Sequence, residues 1–201
     1  MVIGITGCPG SGKSVLSGFL AENGWVLIDA DSAGRDVVEN NPVILNKLAD
    51  AFGADIIGGD GRLNRGLLAS RAFENGEKTG LLNGIVHPAL ISDIKKKIDR
   101  LKNEGENTVV DCALIFEWGI ENIFDVVVTV QSEEGLMKSR LMKRDKRSEE
   151  QIRGIFNAQL PQSEKIKKAD IIISNNSSLE KLKTYGLMIS ALNKCLKKHD
   201  R

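Results

Sequence analysis

Residues 7 to 14 read Gly7-Cys8-Pro9-Gly10-Ser11-Gly12-Lys13-Ser14, and they meet the spacing G-x-x-x-x-G-K-S/T at every fixed position. No other segment restricts the fold so tightly. Glycines let the backbone curl until successive N–H groups face one centre, which makes a nest for an anion. A helix starting beneath the curl adds the partial positive charge of its N-terminus. Lys13 supplies an ammonium group that reaches the outer phosphates of a nucleotide, and Ser14 a hydroxyl that helps ligate magnesium. The expected nucleotide contacts are therefore Gly10, Ser11, Gly12, Lys13 and Ser14, with Val15 adding only its backbone N–H. Chance yields this pattern in on the order of one per cent of chains this long. The flanks argue against chance: Val2 to Thr6 is an apolar, β-branched run, and Lys13 to about Asn23 has helical spacing.

Four more short strand signals follow, at Trp25–Asp29, Thr108–Cys112, Asp125–Val130 and Asp170–Ser174, separated by helical patterns. Apolar runs with little alternation suit strands covered on both faces, so the expected fold is α/β, a doubly wound parallel sheet of five strands. Two intervals are too long for simple crossovers. Residues 58–102 are expected to form an inserted helical substrate domain, and residues 132–168 a helical lid. The nucleotide-binding core then comprises residues 1–57, 103–131 and 169–201. Helices are expected at Pro42–Phe52 and Leu63–Phe73, and Pro88 is expected to open a new helix, since proline suits the first helical position. Ser132 is a candidate cap, Ser148-Glu-Glu-Gln151 has capping-box spacing for a helix ending near Pro161, and Ser177-Ser-Leu-Glu180 repeats that spacing before the C-terminal helix.

Composition narrows the partners. The chain has 201 residues and a formal net charge of +1, so an anionic ligand must be held locally and no basic field draws nucleic acid. No apolar run reaches the roughly 18 residues of a membrane span, and the N-terminus lacks the basic start of a secretory signal. The three cysteines, Cys8, Cys112 and Cys195, are scattered and odd in number, a pattern of reduced thiols in a cytoplasmic protein.

Asp29-Ala30-Asp31 closes the second strand, with Arg35 one helical turn later. At the carboxyl end of a parallel strand such acids accept a hydroxyl proton, hold a metal-bound water, or merely cap the next helix. Asp111 and Glu117, after the third strand, are open to the same choice. Lys138, Arg140, Lys143, Arg144, Lys146 and Arg147 form a basic stretch. Charge runs usually make a solvated face, but guanidinium groups that close over a transferring phosphoryl group assist it, and Arg144 and Arg140 are the candidates.

With these residues in view, the chain resembles the dephospho-coenzyme A kinases over nearly its whole length. The resemblance is carried by Thr6 to Ser14, then Asp29, Ala30, Asp31 and Arg35. It continues in Asp60, Gly61, Asn64, Arg65 and Leu68, and in Leu82, Asn83, Ile85, His87 and Pro88. Ala113-Leu-Ile-Phe-Glu117, the lid's Arg144, Asp145 and Gln159, and Ala169, Asp170, Ile173 and Asn175 complete it. It implies transfer of the ATP γ-phosphoryl group to the ribose 3′-hydroxyl of dephospho-CoA, with magnesium, in a body of core, CoA-binding insert and lid. It also implies Asp31 as general base, Asn175 as a frame for the adenine through its backbone, and Asp29, Arg35, Arg65, Asn83, His87 and Glu117 on the substrate side. Against the family pattern, Cys8-Pro9 stands for Gly-Ile, Val15 for threonine, Asn64 for aspartate and Ala113 for proline. The rival classes are another P-loop small-molecule kinase, acting on a nucleoside monophosphate or sugar acid, a nucleotide switch and a nucleic-acid-dependent ATPase. The switch lacks an N-K-x-D segment, since Asn193-Lys194 continues with Cys195-Leu196, and the ATPase lacks basic-aromatic interleaving.

Overall fold

The computed structural model describes residues 1–146 and 148–199, with 194–199 described by their backbone alone. Arg147 of the basic stretch and the side chain of Cys195 lie outside the described residues. The chain forms two compact units, Met1–Asp29 with Ile98–Arg201, and Ala30–Lys97.

The first unit is built on a parallel sheet of β1 (Val2–Thr6), β2 (Val26–Asp29), β3 (Thr108–Asp111), β4 (Val126–Gln131) and β5 (Ile171–Ser174), in the order β2-β3-β1-β4-β5. β1 is buried throughout, as its unbroken apolar run requires when helices cover both faces. Its neighbours lie on opposite sides, so connections leave β1 in both directions and a crevice opens at its carboxyl end. The core beneath joins Ile3 and Ile5 to Leu16 and Leu20 of α1 (Lys13–Glu22), to Val109, Val128 and Ile173 of the sheet, and to Leu182 and Ile189 of α9 (Leu179–His199). α1 ends as expected at Gly24, whose φ of 87° lets its N–H and that of Trp25 turn back to the carbonyls of Ala21 and Leu20.

The intended lid segment contains α6 (Glu134–Asp145), α7 (Glu149–Asn157) and α8 (Gln162–Lys168), all within the first unit. The Ser148–Gln151 capping box forms as read. Ser132 does not cap α6: its hydroxyl donates to the carbonyl of Asn175 at 2.8 Å, because the end of β5 offers a buried acceptor nearer than the helix amides. Helical structure resumes after Pro161, with α8 running into β5. Before α9 it is Ser178, not Ser177, whose hydroxyl meets the Lys181 N–H.

The second unit holds α2 (Ala30–Glu39), α3 (Pro42–Phe52), α4 (Arg65–Ala72) and most of α5 (Gly76–Asn103). Val38, Ile44, Leu48, Phe52, Ile56, Leu68 and Ala72 form its own core. Asn41 caps α3, whose first residue is Pro42. Asn64 caps α4 through the Leu67 N–H at 3.0 Å. Asparagine and aspartate cap about equally well, so the departure at position 64 leaves this helix start intact. α5 passes unbroken through Pro88, which opens no new helix. An interior proline removes one hydrogen bond and crowds the carbonyl four residues earlier. Here Leu82, Ile85, Val86 and Ala89 continue one apolar face across it, and packing overrides the local preference.

Candidate phosphate-binding site

The loop between β1 and α1 takes its shape from local rules. Cys8-Pro9-Gly10-Ser11 closes a turn, with the Ser11 N–H on the Cys8 carbonyl at 3.1 Å and Gly10 at φ 79°. Those are the demands of a type II turn, which favours proline at its second position and needs positive φ at its third. The N–H that Pro9 lacks is one such a turn does not use, so the Cys8-Pro9 departure is accommodated. Gly12, at φ 104°, then opens α1 and accepts from Val15 and Leu16. The first-turn amides of Lys13 and Ser14 have no intrahelical acceptor, as at any helix start, and remain for an anion.

Below the loop, Lys13 Nζ lies 3.1 Å from Asp111 Oδ1, and Asp111 stands in register with Asp29 on β2. Asp111 is 7% exposed. Burial pushes its carboxyl above the ordinary carboxylate range, Lys13 and Ser14 pull against that, and Asp29 adds to the push. Two carboxylates, an ammonium group and a hydroxyl thus meet at the sheet's carboxyl edge. The sequence left Asp111 undecided; its strand-end position, in register with Asp29, was the available signal. Cys8 is buried, which raises its thiol pKa and keeps it protonated and unreactive.

The outer side of the loop is held by donors. Asn175 Nδ2 donates to the Ser11 carbonyl at 2.7 Å, so its side chain, not its backbone alone, serves the site. Arg140, expected over the phosphoryl group, is engaged elsewhere: its guanidinium donates to the carbonyls of Gly10 (3.2 Å) and Asn175 (2.9 Å) and to Ser132 Oγ (3.1 Å). Backbone acceptors this close to α6 capture it. Arg144, one turn on, is exposed and paired bidentately with Asp145 at 2.6 and 2.9 Å. Glu117, expected on the substrate side, has one oxygen 2.8 Å from the Leu160 N–H and 2.6 Å from Lys165 Nζ. Lys165 is 0% exposed and also donates to the Ala113 carbonyl at 2.6 Å. Nothing in the sequence marked Lys165, which sits in a charged run resembling any solvated helix. Ala113 contributes its carbonyl and not its N–H, so a proline there would make the same bonds.

The remaining candidates lie in the second unit. Asp31 and Arg35 are exposed on α2, four residues apart and so on one side of it. Arg65 is ion-paired with Glu39 at 2.6 Å. Asn83 and His87, four apart on α5, are half-buried. Burial lowers the pKa of His87. The folded chain therefore favours neutral imidazole, and the unfolded chain binds the extra proton first as pH falls through about 6.5. Stability from this group is present above that value and is lost as pH drops through the lower folded pKa. Melting curves between pH 7.5 and 5.5 should show a fall in stability that His87→Gln flattens; an unchanged slope would remove the assignment.

Three comparisons bear on this arrangement. The family profile described as dephospho-CoA kinase matches residues 1–181. The Corynebacterium glutamicum dephospho-CoA kinase is 37% identical over 181 residues, 90% of this chain and 90% of its own. A crystal structure of a Thermus thermophilus protein superposes with a TM-score of 0.78 at 30% identity, over 96% of this chain and 97% of that one. That of the Campylobacter jejuni dephospho-CoA kinase gives 0.68 at 25%, over 94% and 95%.

Proposed function

Because this chain belongs to the dephospho-CoA kinase family, we propose that it transfers the γ-phosphoryl group of ATP to the ribose 3′-hydroxyl of dephospho-CoA, yielding CoA and ADP. The observation that carries the reading is the meeting of a glycine-rich curl, Lys13 and the carboxylates of Asp111 and Asp29 at one sheet edge.

In this reading the amides of residues 10–15 and the Lys13 ammonium group hold the β- and γ-phosphates. Lys13 leaves Asp111 for the more highly charged triphosphate, since both oxyanions compete for one cation. Asp31 takes the proton of the 3′-hydroxyl as its oxygen bonds to phosphorus, while the bond from the γ-phosphorus to the ADP oxygen breaks. Arg144 meets the negative charge that grows on the transferring group. Arg35, Arg65, Asn83 and His87 serve the CoA side.

Magnesium fits the residues present. Among the described residues no cluster of three or more His, Cys, Asp or Glu forms a closed metal cage. Magnesium needs none, because one or two protein oxygens suffice when phosphates and water complete its octahedron. Ser14 Oγ and Asp111 would hold it, Asp29 a bound water, and its chemistry is to neutralise phosphate charge. Among the described residues no helix is long and apolar enough to cross a membrane. The two buried thiols, Cys8 and Cys112, support the cytoplasm as the place of action.

The test is direct. Purified chain with magnesium and ATP is offered dephospho-CoA, a nucleoside monophosphate or a sugar acid, and ADP and product mass are followed. Phosphorylation of dephospho-CoA alone is expected; preference for either other acceptor overturns the substrate.

A further inference from the structure

We infer that the side chain of Asn175 is a positioning residue for the phosphate cradle, acting through the Ser11 carbonyl; this rests on the nucleotide-binding reading above. The Nδ2–Ser11 O bond of 2.7 Å is buried, and Asn175 itself is 8% exposed. The residue is immobilised at its backbone as well. Its N–H donates to the Gln131 carbonyl at 2.8 Å, and its carbonyl accepts from Ser132 Oγ at 2.8 Å and Arg140 Nη2 at 2.9 Å. Its amide nitrogen fills the space that a Cβ on Gly12 would need.

The Ser11 carbonyl and the Gly12 N–H belong to one planar trans peptide, so they point in opposite directions. Holding the carbonyl outward aims the N–H inward. This matters because Gly12, without a side chain, adopts several φ values at similar cost. Released from Asn175, the Ser11–Gly12 plane is free to rotate and to present a carbonyl oxygen where the anion expects a donor. Neighbouring planes have other restraints: the Ser11 N–H is held in its turn and the Gly10 carbonyl by Arg140. The Ser11–Gly12 plane depends on the one side-chain amide.

The role separates phosphate recognition from nucleoside recognition. Calorimetric titrations would compare full-length chain, Asn175→Ala and Asn175→Asp with ATP, inorganic tripolyphosphate and adenosine. Asn175→Asp keeps the shape but sets an oxygen against the Ser11 carbonyl. Affinity for ATP and tripolyphosphate should fall about 10- to 100-fold, as for one charge-assisted hydrogen bond, and further in Asn175→Asp than in Asn175→Ala. Adenosine affinity should stay within about twofold. Equal loss of all three ligands, or no loss of tripolyphosphate, overturns the inference while leaving nucleotide binding standing. Failure of the unsubstituted chain to bind ATP overturns both. Amide resonances of the unsubstituted chain give a reading that no variant's folding can spoil. The Gly12 N–H should shift on adding tripolyphosphate, and a Gly12 signal that stays still while those of Lys13 and Ser14 move sinks the idea.

Discussion

Asp31→Asn is expected to lower turnover by about 10²- to 10⁴-fold, the usual worth of a general base, while ATP affinity stays within about twofold. The substitution keeps the size of the side chain and removes only its capacity to take a proton. Asp31 lies in the first turn of α2, where a negative charge is favourable by about 0.3–1 kcal/mol, so loss of the charge weakens the helix start only slightly. Equal melting temperatures would therefore separate chemistry from folding. The fall should appear equally in kcat and kcat/KM for dephospho-CoA, the mark of an interaction made only in the transition state. Near-normal turnover would strip Asp31 of this role. A large loss of ATP affinity would move it to the metal's side instead.

Motifs with a backbone mechanism were legible in the sequence. The octapeptide names its own turn: Pro9 and Gly10 occupy the positions a type II turn prescribes, and Gly12 stands where positive φ is required. The parallel sheet follows from five apolar runs, because strands buried on both faces leave no alternation to mistake. Tertiary competition was not legible. Pro88 carries the same local signal whether it starts a helix or is carried through one, and only the apolar face formed by Leu82, Ile85, Val86 and Ala89 decides. Ser132 has the look of a cap until the end of β5 supplies a closer acceptor. Arg140 and Arg144 are one helical turn apart in the same basic run, yet one is enclosed by backbone carbonyls and the other is exposed. Charge patterning places such residues on a helix but not against their partners, which come from residues 10, 132 and 175.

The pair Glu117–Lys165 carries the largest stability effect expected outside the apolar cores. Glu117→Gln should cost about 3–5 kcal/mol, because it strands an ammonium group that is 0% exposed. In a chain of 201 residues, at roughly 2–4 °C per kcal/mol, the melting temperature should drop by about 6–20 °C. Lys165→Met should cost a similar amount by stranding Glu117, whose side chain is 17% exposed. Replacing both, Glu117→Leu with Lys165→Met, should recover most of the loss, since two removed charges leave none unpaired. The recovery should be incomplete. Glu117 also accepts from the Leu160 N–H, and Lys165 donates to the Ala113 carbonyl, which Thr6 Oγ1 shares at 3.0 Å just before the phosphate loop. Those backbone groups would lose partners. A strut and a substrate contact make opposite predictions here. If Glu117 bound dephospho-CoA, Glu117→Gln would melt normally and raise the KM for that substrate, and the double variant would be no better than the single one. If it is a strut, the melting curves move first, and the folded fraction of each variant keeps its affinity for dephospho-CoA.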